Sequence, residues 1–408
     1  MKIEWTSKDY SVSPENYAVI EENKEWLSKK IKIHDVTLRD GEQQIGVGFR
    51  KEEKIAIAEK LAECGIHRIE AGMPATSKDD AEAIKQIVNK NLGPEIFAFC
   101  RSVLDDIKTA KDCGVHGVVV EIPSSEHMIQ YSYQWTVEKA VDLVVNATNL
   151  AHELGLRVVL FTMDSTRARF DWLSNLILSV KKDGYFDSLA LVDTQGVISP
   201  TACRKLVRNL KSIIDKPLEG HFHNDLGLAN ANSLAAMEEG VDIIHSTVLG
   251  MGPRAGQTAT EQIVVALKLL YGIDAGIKIE KLNELAQLVS KFAPHQIPLN
   301  QPLIGDSLYK IESGIPASWW IRIKEEHPLA FYGILPSLVG REEVSIVLGK
   351  GSGLPSIKYW LAKLGLDTNE ELYPEILMRT KKLAVDKKGL VTGDEFSEIV
   401  KNAIGESV

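Results

Sequence analysis

Short apolar runs rich in valine and isoleucine recur along the chain, each followed by a segment whose apolar positions return at helical spacing. Eight of these runs read as strands: IKIHDVTL (31–38), HRIEAG (67–72), IFAFCR (96–101), GVVVEIPS (117–124), RVVLFTMD (157–164), SLALVDT (188–194), LEGHFHND (218–225) and IIHSTVLG (243–250). The amphipathic stretches between them, such as 51–65 and 137–155, end on glycine, the residue expected just past a helix C-terminus. Runs apolar on both faces and alternating with helices predict parallel strands covered on both sides. Eight strand–helix units in roughly 250 residues predict an α/β fold, a (β/α)8 TIM barrel. The alternative, a doubly wound open sheet, lacks the glycine-rich dinucleotide fingerprint after its first strand.

The alternation bounds three regions: a charged N-terminal extension over 1–30, a barrel over 31–275 and mainly helical C-terminal subdomains over 276–408. The segment KIEKLNELAQLVSKFA (278–293) carries helical spacing just past the barrel. The 408 residues are 44% hydrophobic and 25% charged, an ordinary globular composition. A net charge of −9 without a Lys/Arg cluster argues against a nucleic-acid surface. No apolar run approaches the roughly 18 residues of a membrane span, and the charged start MKIEWTSKDY does not read as a signal peptide. Cys64, Cys100, Cys113 and Cys203 are too few and too scattered for a disulfide framework or a zinc cluster. A cytoplasmic protein is expected.

Barrel chemistry sits at the carboxyl ends of the strands, and here those ends are unusually polar. They supply Arg39, Asp40, Glu42 and Gln43, then Glu70, Arg101, Asp164 with Arg167, Asp193 with Thr194, and His221, His223, Asn224 and Asp225. One such residue could be a loop solvating itself; with GMGPRAGQT (250–258) after the eighth strand, seven of eight strand ends cannot be dismissed that way. Residues two apart on a strand point to one face, so His221 and His223 present two imidazoles to the barrel mouth. With Asp40 they make a donor set for a divalent ion with positions open to substrate; the bland alternative is a pair of core histidines bonded to backbone.

The segments DVTLRDGEQ (35–43), IEAGMP (69–74), LVDTQG (191–196), HFHNDLGLANAN (221–232) and GMGPRAGQTATEQ (250–262) resemble the DRE-TIM metallolyase superfamily, and within it the isopropylmalate, homocitrate and citramalate synthases. The likeness spans the barrel and continues more weakly through 300–316, 339–353 and 384–396. It implies Asp40, His221, His223 and Gln257 as ligands of a divalent metal (Mg, Mn, Zn or Co). It implies Arg39 on the keto oxygen of a 2-oxo acid with Gln43 nearby, Glu70 completing the arginine–aspartate–glutamate set, and Thr194 on the substrate carboxylate. Arg101 and Asp164 are further candidates for substrate binding, and Tyr332 for acid–base work. The implied reaction is a Claisen-type condensation of an acyl-CoA, above all acetyl-CoA, with the oxo acid, of the kind used in amino-acid biosynthesis. The resemblance also implies a homodimer.

Three departures fall near the chemistry. The family's GERAGN loop ends here in Gln257, one methylene longer than asparagine. Met163 stands where the synthases usually carry a glutamate before Asp164. The family's HESGIH segment reads IESGIP, so Pro316 replaces a histidine that helps move a proton. His327, before Pro328, is a candidate substitute whose simpler reading is a surface histidine. These changes leave two readings open: a synthase with an altered acid–base path, or a metal-dependent lyase or aldolase cleaving a 3-hydroxy-acyl or 4-hydroxy-2-oxo acid. The hydroxymethylglutaryl-CoA lyases carry a catalytic cysteine near the place of Val248, and none lies in 243–262, which favours the synthase. Met163 leans toward an oxo acid with an apolar side chain. The end at residue 408 leaves little room for a leucine-sensing domain, so no such site is expected.

Of the remaining signals, GKGSGLP (349–355) fails as a phosphate loop because Gly351 follows Lys350. DKKGLVTGDEF lacks the alternating acids of a calcium loop, and Thr392 with Glu395 reads instead as a helix capping box. Trp319 and Trp320 are expected to pack in a core or against a partner.

Overall fold

The computed structural model describes residues 5–294 and 296–405. Its chain forms two compact units, one of Pro14–Ile297 and one of Met1–Ser13 with Pro298–Val408.

In the first unit eight parallel strands close into a barrel in chain order: β1 (Lys32–Asp35), β2 (Arg68–Glu70), β3 (Glu95–Cys100), β4 (Gly117–Pro123), β5 (Arg157–Met163), β6 (Ser188–Asp193), β7 (Leu218–Phe222) and β8 (Ile243–Ser246). β1 closes the ring by pairing with β8, His34 opposite His245. The helices are α1 (Pro14–Glu22), α2 (Lys51–Cys64), α3 (Lys78–Asn89), α4 (Leu104–Asp112), α5 (Val137–Glu153), α6 (Phe170–Asp183), α7 (Pro200–Lys211), α8 (Ala229–Glu238), α9 (Thr260–Tyr271) and α10 (Leu282–Phe292). The TIM-barrel reading is thus borne out. All eight strands lie where the apolar runs placed them, but each ends earlier, by one to four residues. After β1 the carbonyl of Val36 accepts the amides of Arg39, Asp40 and Gly41, which curls Thr37–Asp40 into a turn. The same shortening leaves His223 one residue past β7, held by a bridge to Gln257. Asp40 and the histidines come from strands separated by β8 rather than from neighbours.

Inside the barrel, Phe97, Phe99, Val119, Val159, Phe161, Ala190 and Val192 form one buried cluster, with Met73 and Met163 against it. Gly117 is what permits the lowest of these rings. A Cβ there would stand 2.4 Å from Phe97 Cε1, so only glycine lets strand and ring pack this closely. A polar layer interrupts the apolar filling: His34, Glu70, Glu219 and His245 are all fully buried. Glycine-stopped α2 and α5 cover the outside as expected, and Gly65 caps α2 with a left-handed φ of 88°.

The boundary expected at 275/276 falls instead at 297/298. The apolar stripe of α10, Leu282, Leu285, Ala286 and Val289, is buried, and Lys60 of α2 reaches Glu284 at 3.0 Å, so α10 joins the barrel unit. In the second unit, residues at the start of the chain return to the C-terminal region: Leu335 N–H donates to Asp9 O at 2.9 Å. There β9 (Lys310–Ile311) pairs with β10 (Ser345–Ile346), beside α11 (Gly314–Ile323), α12 (Leu354–Leu364), α13 (Tyr373–Lys387) and α14 (Gly393–Gly405). Pro316 sits in the first turn of α11, where its missing N–H leaves no helix bond unmade. Thr392 and Glu395 make both bonds of the capping box ahead of α14. Of the tryptophan pair, Trp320 is in the core and Trp319 is half exposed.

Candidate metal centre

The turn after β1 and the strand end of β7 deliver three donors to one point. His221 Nε2 lies 3.3 Å from His223 Nε2 and 3.7 Å from Asp40 Oδ2; His223 Nε2 is 3.8 Å from the same oxygen. Donors bound to one cation at about 2.1 Å stand roughly 3.0–3.4 Å from one another, so this triangle is close to one coordination face. All three residues are buried. Burial and the neighbouring positive groups hold the His221 imidazolium well below the usual range, and burial lowers His223 despite the opposing pull of Asp40. Both rings are therefore neutral near pH 7, the form that ligates a cation. His223 Nδ1 faces the carbonyl of Gly256 at 3.3 Å, so its proton belongs there and the Nε2 lone pair faces the triangle.

The loop after β8 closes the site. Gly256 adopts φ +80°, and a Cβ on it would lie 1.9 Å from Gly250 O; glycine is obligatory where the loop doubles back. Gln257 follows, with Nε2 donating to Asp40 Oδ2 at 2.5 Å and Oε1 buried without a partner. Turning the amide over presents that oxygen on the Asp40 side, where a cation would accept it. Arg254 fastens the loop by bonding Asp225 at 2.8 and 2.9 Å and Thr194 O at 2.6 Å, which ties together the segments after β6, β7 and β8.

Beside the triangle, Arg39 donates from Nη1 to Asp40 Oδ1 at 2.6 Å and from Nε to Glu70 Oε1. Its Nη2 is buried with no partner. Burial raises the Glu70 carboxyl, with Arg39 pulling the other way. An orphan guanidinium N–H, an orphan amide oxygen and neutral imidazoles around a carboxylate fit a divalent ion with a polar ligand next to it, and fit poorly as a core.

The structure does not bring every expected residue to this point. Gln43 closes the 3-10 turn Gly41–Gln43 and is exposed. Thr194 Oγ1 accepts the Asp164 amide at 2.8 Å, which leaves its own O–H free to donate. Asp164 is itself held by Arg167 at 2.7 and 2.8 Å and by Ser125 at 2.5 Å. Arg101 grips Asp106 at 2.8 and 2.9 Å. Tyr332 packs within the C-terminal unit against Tyr309, Trp320 and Phe331, and burial raises its hydroxyl to about 12. His327 is exposed next to Glu326, as a surface histidine would be. The four cysteines are free and buried.

Sequence reading passed over Glu121. On β4 it lies two residues beyond Val119 of the barrel cluster and opposite Phe161 of β5, so it faces inward at the mouth. Burial raises its carboxyl, and the charge of Arg39 and the Tyr133 hydroxyl oppose that. A lone acid in the run GVVVEIP was the available signal.

These features define a (β/α)8 barrel with a divalent-metal donor set at its carboxyl-end mouth. Residues 30–289 match the HMGL-like family model, and the chain belongs to that family. It is 36% identical to a homocitrate synthase of Methanopyrus kandleri over 93% of this chain and 94% of that protein. It is 39% identical to a 2-isopropylmalate synthase of Methanocaldococcus jannaschii, covering 93% and 73% of the two chains. An (R)-citramalate synthase of the same organism is 35% identical over 93% of this chain and 76% of that one. Among solved structures, a hydroxymethylglutaryl-CoA lyase from Pseudomonas aeruginosa shares the fold with a TM-score of 0.60 at 23% identity, covering 67% of this chain and 96% of that one. Among the described residues no helix is long and apolar enough to cross a membrane.

Proposed function

We propose that the protein is a divalent-metal-dependent acyltransferase that condenses an acyl-CoA, acetyl-CoA by preference, with a 2-oxo acid to give a 2-alkylmalate-type product and CoA. The observation that carries this reading is the triangle of Asp40, His221 and His223 beside the unpartnered Nη2 of Arg39. The synthase names of the curated relatives, at 35–39% identity over nearly the whole chain, support it.

Asp40, His221 and His223 would hold the ion, with Gln257 as a fourth donor. When bound there it supplies a Lewis acid for the keto oxygen of the oxo acid. Arg39 Nη2–H donates to that same oxygen and meets the negative charge that develops as the acyl carbon adds. Glu70 fixes Arg39, since the bond from Nε sets the plane of the guanidinium. The Thr194 hydroxyl donates to the substrate carboxylate. Tyr332 as an acid–base group and a homodimeric assembly remain part of the proposal on the resemblance alone. Asp164 serves its loop, its oxygens held by Arg167 and Ser125, while Arg101 binds Asp106 through Nε and Nη2.

The oxo-acid side chain would lie against Phe99, Phe161, Met73 and Met163, with Glu121 among them. An apolar wall containing one acid favours a monocarboxylic oxo acid, because a distal carboxylate would meet a like charge. The test is thiol release from acetyl-CoA with oxo acids from pyruvate and 2-oxoisovalerate to 2-oxoglutarate and oxaloacetate. Metal-dependent release with at least one supports the reading, and release with none overturns it.

A further inference from the structure

His221 offers Nε2 to the triangle and turns its other ring nitrogen inward. Nδ1 lies 3.3 Å from Nδ1 of His245 on β8. His245 Nε2 lies 2.7 Å from Glu219 Oε2. The remaining oxygen of Glu219 accepts from Arg68 Nη1 at 2.9 Å and Ser188 Oγ at 2.5 Å. Glu219, His221 and His245 are each at most 1% exposed, so no bulk water competes for these bonds.

With one proton on each ring, the bonds of this chain leave one arrangement. A carboxylate held by a guanidinium is an acceptor only, so the short bond to His245 puts hydrogen on His245 Nε2. A neutral ring protonated there has its lone pair on Nδ1. Two Nδ1 atoms facing each other at 3.3 Å need one proton between them, unlike the Nε2 pair of His221 and His223, which the cation would fill, and that proton must then belong to His221. His221 protonated on Nδ1 carries its lone pair on Nε2, directed at Asp40 and His223. We propose that His245, backed by Glu219 and Arg68, is a positioning residue that sets the tautomer and orientation of His221 for binding the cation. The proposal rests on the metal reading of the triangle above. For His223 the Gly256 carbonyl does the same service; for His221 it comes from a second imidazole in the barrel core.

The donor atoms of His34, Glu219 and His245 also lie close enough together to suggest a second cation. That alternative is the weaker one, because Arg68, Ser188 and His245 already satisfy Glu219, and a cation there would be added beside Arg68.

Three measurements test the proposal. Cobalt(II) is titrated into the metal-free protein, into His245→Phe, which keeps a ring and removes both nitrogens, and into Glu219→Gln. His245→Phe should bind about 10–100-fold more weakly, the range lost with such outer partners, with altered visible bands, and Glu219→Gln should fall between it and the wild type. Turnover of His245→Phe should recover as metal is raised. Unchanged affinity and spectrum in His245→Phe overturn the proposal, as does uptake of two ions per wild-type chain. The third measurement needs no variant to fold: in zinc-loaded wild type labelled with 15N-histidine, His245 should carry its proton on Nε2 and His221 on Nδ1. The opposite tautomers overturn it. A wild type that takes up no cobalt overturns the site reading as well, whereas normal wild-type uptake beside an indifferent His245→Phe overturns this inference alone.

Discussion

Arg39 donates from Nε to Glu70, and the bond lays the guanidinium over Phe99 with Cζ 4.3 Å from the ring centroid. Nη1 is taken by Asp40. Only Nη2 is left to meet a substrate, so three neighbours decide which hydrogen faces the reacting oxygen.

Arg39→Lys keeps the charge and loses the fork. The three N–H donors of an ammonium radiate from a single nitrogen and do not reproduce the spacing by which Nε, Nη1 and Nη2 meet Glu70, Asp40 and substrate. We expect kcat to fall about 10²–10³-fold, the scale for losing one donor to a developing oxyanion, with cobalt affinity changed by less than about threefold. Steady-state rates and metal titration on the same preparation check this. A variant that keeps its kcat contradicts the role given to Nη2.

Glu121→Gln removes the inward charge at the mouth while keeping its volume. The ratio of kcat/KM for 2-oxoglutarate to that for 2-oxoisovalerate should rise roughly tenfold or more, because juxtaposed like charges are strongly unfavourable. An unchanged ratio means that Glu121 does not select the oxo acid.

Asp35 gives a pH dependence. Burial pushes its carboxyl from 3.8 up to about 7, and hydrogen bonds from Thr37 and Thr260 oppose that shift only in part. Between those values the folded chain holds a proton that the unfolded chain has released. Its contribution to stability is therefore fully present below pH about 4, falls as pH rises and levels off above about 7. Asp35→Asn should flatten that part of the stability curve and raise Tm at about pH 8 by roughly 2 °C or more. Thermal melts of both proteins across this interval decide the matter, and parallel curves contradict it.

The barrel was legible because its strands are apolar on both faces and its helices on one, a contrast that survives without any knowledge of neighbours. Asp40, His221 and His223 stood out because polar residues at strand ends are conspicuous against such runs. What escaped was of two kinds. Glu121, Glu219, His34 and His245 lie inside strands, where a single polar residue reads as an interruption until the barrel closes and shows them facing one another. Arg101 and Asp164 were read as substrate-binding candidates without their local ion pairs to Asp106 and Arg167, five and three residues further on. The strand ends and the 275/276 boundary were misplaced for a related reason: the Val36 carbonyl and the buried face of α10 act through partners that no single window contains.

Crystals soaked in manganese and measured for anomalous scattering test the central claim most directly. The account predicts one strong peak within about 2.0–2.3 Å of Asp40 Oδ2, His221 Nε2 and His223 Nε2, absent from crystals of His221→Ala that are otherwise isomorphous. Ordered side chains in the arrangement described, with no peak among them at saturating manganese, would contradict it.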